Sequence, residues 1–139
     1  MTTAPFALGT LDHLVLRVRD VERMIAFYRD VLGCTEERAL PDLGLFQLRA
    51  GAALIDLVAV DSPLGSTGGA APGSEARNVD HFCLRVDPFD EAAISAWLAA
   101  ADVAAEPAAR RYGADGFGQS IYLQDPEGNT VELKGPPER

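Results

Sequence analysis

Residues 11–18 read LDHLVLRV, and residues 79–86 read VDHFCLRV, with five of eight positions identical. The offset, 81 − 13 = 68 residues, is close to half of a 139-residue chain. A repeat at that spacing restricts the fold to two copies of one supersecondary unit, each too small to bury a sheet face alone. The chain's two histidines, His13 and His81, each hold the third position of their copy.

The unit can be read from its periodicities. In the first copy Leu14, Leu16 and Val18 alternate with His13, Val15 and Arg17, the pattern of a half-buried strand. Asp20 then offers a cap, Val21, Met24, Ile25, Tyr28, Val31 and Leu32 follow helical spacing, and Gly33 supplies a stop. The second copy answers over residues 88–102, with Asp87 or Asp90 at the start and Ile94, Trp97, Leu98 and Ala101 as the predicted buried stripe. Each half closes in strands, GLFQLRAG and AALIDLVAV in the first, SIYLQ and TVELKG in the second, with DPEGN a turn between the last two. The expected fold is α+β: two βαβββ modules, about 8–62 and 77–135, forming one domain over residues 1–139. Residues 61–78, DSPLGSTGGAAPGSEARN, are predicted to be a flexible Gly/Ser-rich linker or a mobile loop beside a site. RRYGADGFGQ at 110–119 reads as a gating loop or a plain connector.

Charge and hydropathy exclude several classes of partner. A net charge of −9, a pI near 4.5 and the absence of any basic run argue against nucleic acid, whose phosphates attract clustered Lys and Arg. No apolar stretch approaches the roughly 20 residues that span a bilayer, and the first ten residues lack a secretory pattern, so no membrane partner and a cytoplasmic location are expected. Cys34 and Cys83 show no CxxC spacing and are expected to be small residues in or near the core.

The repeat extends to acidic residues. LIDL at 54–57 and TVEL at 130–133 each place one carboxylate within an aliphatic strand, making Asp56 and Glu132 internal counterparts. An unpaired carboxylate is costly to bury, so each implies a partner. His13, Asp56, His81 and Glu132 therefore form a candidate constellation. Two imidazoles and two carboxylates suit a divalent transition metal such as nickel, zinc, iron or manganese, with open positions for water or substrate, and suit calcium or magnesium poorly.

The segments DHLVLRVRDVERMIAFYRDVLG and SIYLQDPEGNTVEL resemble the opening and closing motifs of the vicinal oxygen chelate superfamily, which contains glyoxalase I, bleomycin resistance proteins and extradiol dioxygenases. The likeness runs from Leu11 to about Lys134. It implies paired modules curled into a half-open mixed sheet with helices outside and a metal within, a homodimer, and ligands at His13, Asp56, His81 and Glu132. The ligand pattern is closest to glyoxalase I, with two departures. Asp56 stands where Glu or Gln is usual and is one methylene shorter, and the helical insert common in glyoxalase I enzymes is missing.

Counting by twos from the histidines places Arg17, Cys83 and Arg85 on the ligand side of their strands. Arg17 and Arg85 are candidates to hold a substrate carboxylate, with rim ion pairs as the alternative. Tyr122 is a candidate for substrate contact if the DPEGN hairpin has simple register. The expected function is a metal-dependent lyase or isomerase of the glyoxalase I type, acting on a small carbonyl substrate through an enediolate, with nickel or zinc and with Glu132 or Asp56 moving the proton. The alternatives are a ring-cleaving extradiol dioxygenase using iron on His13, His81 and Glu132, a fosfomycin-directed thiol transferase, and a non-catalytic drug-binding protein.

Overall fold

The computed structural model describes residues 3–139. Its first half runs β1 (His13–Val18), α1 (Val21–Ala26), β2 (Thr35–Leu40), β3 (Leu45–Ala50) and β4 (Ala53–Ala59). Its second half runs β5 (Phe82–Arg85), α2 (Glu91–Ala100), β6 (Ala109–Gly113), β7 (Gly116–Gln124) and β8 (Thr130–Lys134). Each half is a βαβββ module with its own four-stranded mixed sheet, ordered β1-β4-β3-β2 and β5-β8-β7-β6. In both, the first strand lies parallel to the last, the helix makes the crossover, and the other pairs are antiparallel. The sheets remain open, with β1 and β2 at the edges of the first and β5 and β6 at the edges of the second.

The alternation seen in the sequence decides which face is covered. Leu16, Val18, Ile55 and Leu57 of the first sheet and Ile121, Leu123, Val131 and Leu133 of the second join Met24, Phe27, Tyr28 and Leu98 in one hydrophobic cluster drawn from both modules. The opposite face of each sheet carries the polar members of the repeat.

Both helices are capped as their sequences suggest. Arg23 N–H donates to the Asp20 carboxylate at 3.1 Å, and Ala93 N–H donates to Asp90 at 3.1 Å. The first helix departs from the simple expectation. Beyond Ala26 it widens into a π-helical turn over Phe27–Val31, with Leu32 N–H donating to the Phe27 carbonyl. The extra residue in this turn lets the consecutive Phe27 and Tyr28 both enter the core. Trp97, expected in the buried stripe, is 59% exposed. Its indole N–H reaches across to the Val31 carbonyl at 2.8 Å, so it bridges the modules from outside the core, while Leu98 fills the interior.

Other contacts stitch the halves together. Tyr28 Oη donates to the Asp125 carboxylate at 2.7 Å, and Asp125 also accepts from the amides of Glu127 and Asn129 and from Asn129 Nδ2. The outer edge of β1 is closed near its end, where Asn78 bonds both the N–H and the carbonyl of Arg17, and Glu127 accepts from the amides of Arg19 and Asp20.

Two segments differ from their sequence reading. The linker is docked rather than free over residues 65–70. The Arg17 guanidinium makes five hydrogen bonds of 2.7–3.2 Å there, to the carbonyls of Gly65, Gly68, Gly69 and Ala70. Glycine at 65 reflects close packing, because a Cβ there would fall 1.8 Å from the Ala59 carbonyl oxygen. Residues 110–119, read as a gating loop or a plain connector, form the hairpin of β6 and β7 with Gly116 at φ 109° in its turn. Its outer face carries Tyr112 against Phe117, ring centroids 5.0 Å apart, with the Arg110 guanidinium 3.7 Å above the Phe117 ring. Three glycines disguise a strand alternation that places Arg111 and Gly113 on the opposite side.

Candidate metal centre

The strand registers make the two modules comparable residue by residue. Val15 lies opposite Asp56 and Asp56 opposite Gln47, while Cys83 lies opposite Glu132 and Glu132 opposite Tyr122. Asp56 and Glu132 thus occupy equivalent places on the face away from the helices, each one strand from its module's histidine.

The second module brings its candidate pair together. His81 Nε2 stands 3.3 Å from Glu132 Oε1, and His81 Nδ1 lies 2.6 Å from Asp80 Oδ2. An ionised carboxylate only accepts, so the Asp80 contact calls for a proton on Nδ1; a neutral ring then turns its Nε2 lone pair towards Glu132, whereas a protonated ring donates to it. Two acceptors that close repel each other unless a proton or a cation lies between them. The separation also suits two neighbouring ligands on one divalent ion. With bonds of about 2.1 Å, tetrahedral or octahedral angles put adjacent donor atoms about 3.0–3.4 Å apart.

The first module repeats the arrangement more loosely. His13 Nδ1 lies 2.7 Å from Asp12 Oδ2. This hydrogen bond is the main cause that raises His13 above the ordinary histidine pKa, with the charge of Asp56 adding to it. Asp56 is buried, 4% exposed, and accepts from Gln47 Nε2 at 3.2 and 3.3 Å. Among the described residues no three His, Cys, Asp or Glu side chains converge on one point. The two histidine-carboxylate pairs, His13 with Asp56 and His81 with Glu132, lie on separate sheets.

Asp12 and Asp80, which orient the imidazoles, were missed in the sequence. Their signal was the identical Asp-His pair in both copies.

Tyr122 does lie on the Glu132 side, because the last hairpin has simple register. Its ring meets His81 edge-on at 5.4 Å, and burial first, then the Glu132 carboxylate, raises its phenol. Cys83 is exposed rather than in the core. Its thiol, partly shielded from water by its neighbours, is pushed up to about 11 by that desolvation first and then by Glu132. Cys34 is buried, as expected.

The two arginines part company. Arg17 has every N–H donor engaged by the linker, which leaves none for a substrate carboxylate. Arg85 pairs with Asp115 at 2.6 Å on the rim. An open cleft of about 1000 Å³ reaches His81, Tyr122 and Gln124 and continues past Phe27 and Val103.

A family profile, the Glyoxalase/Bleomycin resistance protein/Dioxygenase superfamily, matches residues 10–133. Virulence protein STM3117 of Salmonella typhimurium is 32% identical over 129 residues, 91% of this chain and 83% of that protein. Its crystal structure aligns with a TM-score of 0.76 over 94% of this chain and 98% of that one. The mitochondrial methylmalonyl-CoA epimerase of Homo sapiens is 27% identical over 99 residues, 66% of this chain; the match spans 54% of the epimerase's length. A lactoylglutathione lyase from Agrobacterium tumefaciens shares the fold, with a TM-score of 0.65 at 23% identity over 92% of this chain and 94% of that one. With two βαβββ modules and a profile match covering nearly its whole length, the chain belongs to the Glyoxalase/Bleomycin resistance protein/Dioxygenase superfamily.

Proposed function

We propose that the protein is a metal-dependent enzyme of the glyoxalase I type, which moves a proton at a carbon beside a substrate carbonyl. The observation that carries this reading is the 3.3 Å approach of His81 Nε2 to Glu132 Oε1, with the other ring nitrogen already held by Asp80. His81 and Glu132 would hold a nickel or zinc ion, and His13 and Asp56 of a second copy would complete its donor set in a homodimer. When bound, the ion supplies Lewis-acid polarisation of the carbonyl. Asp80 and Asp12 fix the imidazole tautomers. Glu132, buried at 6% exposure, would take a proton from the carbon and return it, with Asp56 as its counterpart. Tyr122 forms a wall of the pocket above His81.

Three features support the composite site. Among the described residues one chain gathers only two candidate ligands at each place, the histidines lie on or beside edge strands, and Leu11 and Val15 expose apolar surface next to His13. The epimerase among the relatives fits the proposed chemistry, since inverting one carbon requires a bond to it to be broken and remade. A single-chain centre with iron and three protein ligands, as the dioxygenase reading needs, has less support, because His13 lies on the other sheet from His81 and Glu132.

Zinc and nickel stoichiometry, measured by elemental analysis on protein purified without chelators, tests this reading. About one ion per chain is expected, with loss in His81→Ala and in His13→Ala and a dimer in sedimentation. Failure of the folded protein to take up zinc, nickel, cobalt, manganese or iron would overturn it.

A further inference from the structure

The two histidines differ in how they are held. His13 belongs to β1 and its backbone runs in the ladder opposite Leu54, whereas His81 comes one residue before β5 and outside the strand pairing. Each ring has its neighbouring aspartate on Nδ1, but those two carboxylates are 90% and 95% exposed, so neither is a firm anchor. His81 also meets the Tyr122 ring edge-on, with centroids 5.4 Å apart, and no aromatic ring meets His13 in this way among the described residues. In the first module the place of Tyr122, opposite the carboxylate, is taken by Gln47, whose amide is engaged by Asp56.

The Tyr122 ring is itself held by Arg111. The guanidinium carbon lies 4.3 Å from the ring centroid, within the range of a cation–π contact. Arg111 Nη1 donates to the carbonyl and to the hydroxyl of Ser120, at 2.8 and 3.0 Å. Ser120 is fully buried and lies in β7 between its strand neighbours β6 and β8, so this clasp is fixed to the middle of the sheet. The two hydrogen bonds set the plane of the half-buried guanidinium, and the ring packed under it loses freedom to swing into the cleft that it lines.

We propose that Arg111 is a positioning residue for the candidate centre: through Tyr122 it holds the His81 imidazole against Glu132. This rests on the proposed centre at His81 and Glu132 and deepens that reading, since it names a group outside the pair that keeps the pair assembled. Tyr122 lies opposite Glu132 in the strand register and touches His81, so one ring stands beside both members. A ring free to turn would leave the His81 side chain tied to an exposed aspartate, and its 3.3 Å approach to Glu132 would loosen. Losing an outer group that orients a metal ligand costs about 10- to 100-fold in affinity. The brace is confined to the second module, which makes His13 an internal control.

Because the chain has only two histidines, each type of imidazole proton gives two NMR resonances, assigned through His13→Gln. They are recorded on metal-free full-length protein, above the titration of both rings. Tyr122→Leu defines the Hδ2 and Hε1 positions of an unbraced His81. Arg111→Ala should move the His81 resonances most of the way to those positions and leave the His13 resonances in place, and Arg111→Gln gives a second route if the alanine variant fails to fold. Zinc affinity, from competition with a chromogenic chelator, should fall about tenfold in Arg111→Ala and in Tyr122→Leu, and no further in the double variant, because both break one chain of contacts. His81 resonances or zinc affinity unmoved in a folded Arg111 variant, equal movement of both histidines, or losses that multiply in the double variant would overturn the brace. An unaltered chain that takes up no zinc removes the centre, and the histidine resonances then decide the brace alone.

Discussion

The two modules share a scaffold and a histidine-carboxylate pair, yet the row beside that pair has diverged. In the first module it reads Arg17, Val58 and Leu45, and in the second Arg85, Lys134 and Ser120. The guanidinium of the first row is tied to the linker and its neighbours are aliphatic. The second row keeps a buried lysine and a buried hydroxyl on the side opposite the hydrophobic cluster. The two copies thus keep the same histidine-carboxylate placement and differ in the neighbouring row, which in the first half anchors the linker.

The largest expected difference between the halves lies in their carboxylates. Glu132→Ala should reduce zinc affinity by at least about 100-fold, whereas Asp56→Ala, which removes a shorter side chain already held by Gln47, should cost about tenfold. Competition with a chromogenic chelator measures both, and equal losses would erase the distinction between strong and weak halves. The equivalent arginines should differ next. Arg17→Gln should speed proteolytic cutting within 65–70 by roughly tenfold, because five hydrogen bonds hold that segment, while Arg85→Gln breaks only an exposed pair and should leave the rate unchanged. The smallest effect concerns positions 15 and 83. The Cys83 thiol, pushed up to about 11, should alkylate slowly at pH 8 in metal-free protein. Burial makes the larger contribution to that shift, so Glu132→Gln, which removes a neighbouring negative charge and lowers the thiol pKa, should raise the rate only about threefold. A slower rate would place the carboxylate away from the sulfur.

Much of the architecture was legible in the chain because it was written twice. The strand around His13, the caps at Asp20 and Asp90 and the last hairpin all follow from local patterns that tertiary packing reinforces. The errors cluster where glycine or an aromatic residue has two readings. Gly65 looked like flexibility and is a close approach. Glycines 113, 116 and 118 looked like a loop and serve a hairpin whose inner face must pass a lysine chain. Trp97 has helical spacing for the core, but its indole N–H finds its partner at the surface. For the candidate centre, the repeat nominated one histidine and one carboxylate per module. It was silent about Gln47, which holds Asp56, because that contact is set by strand register rather than by the repeat.

The bond from Tyr28 to Asp125 has a consequence for how such a chain can have arisen. Asp125 organises the turn between β7 and β8, yet the hydroxyl that completes its hydrogen bonding comes from the other module. A half-length ancestor carrying this turn would have had to borrow that hydroxyl from a second molecule. Within one polypeptide that encounter is fixed by chain length rather than by concentration, and a change on either side of the seam leaves the other side's group without its partner.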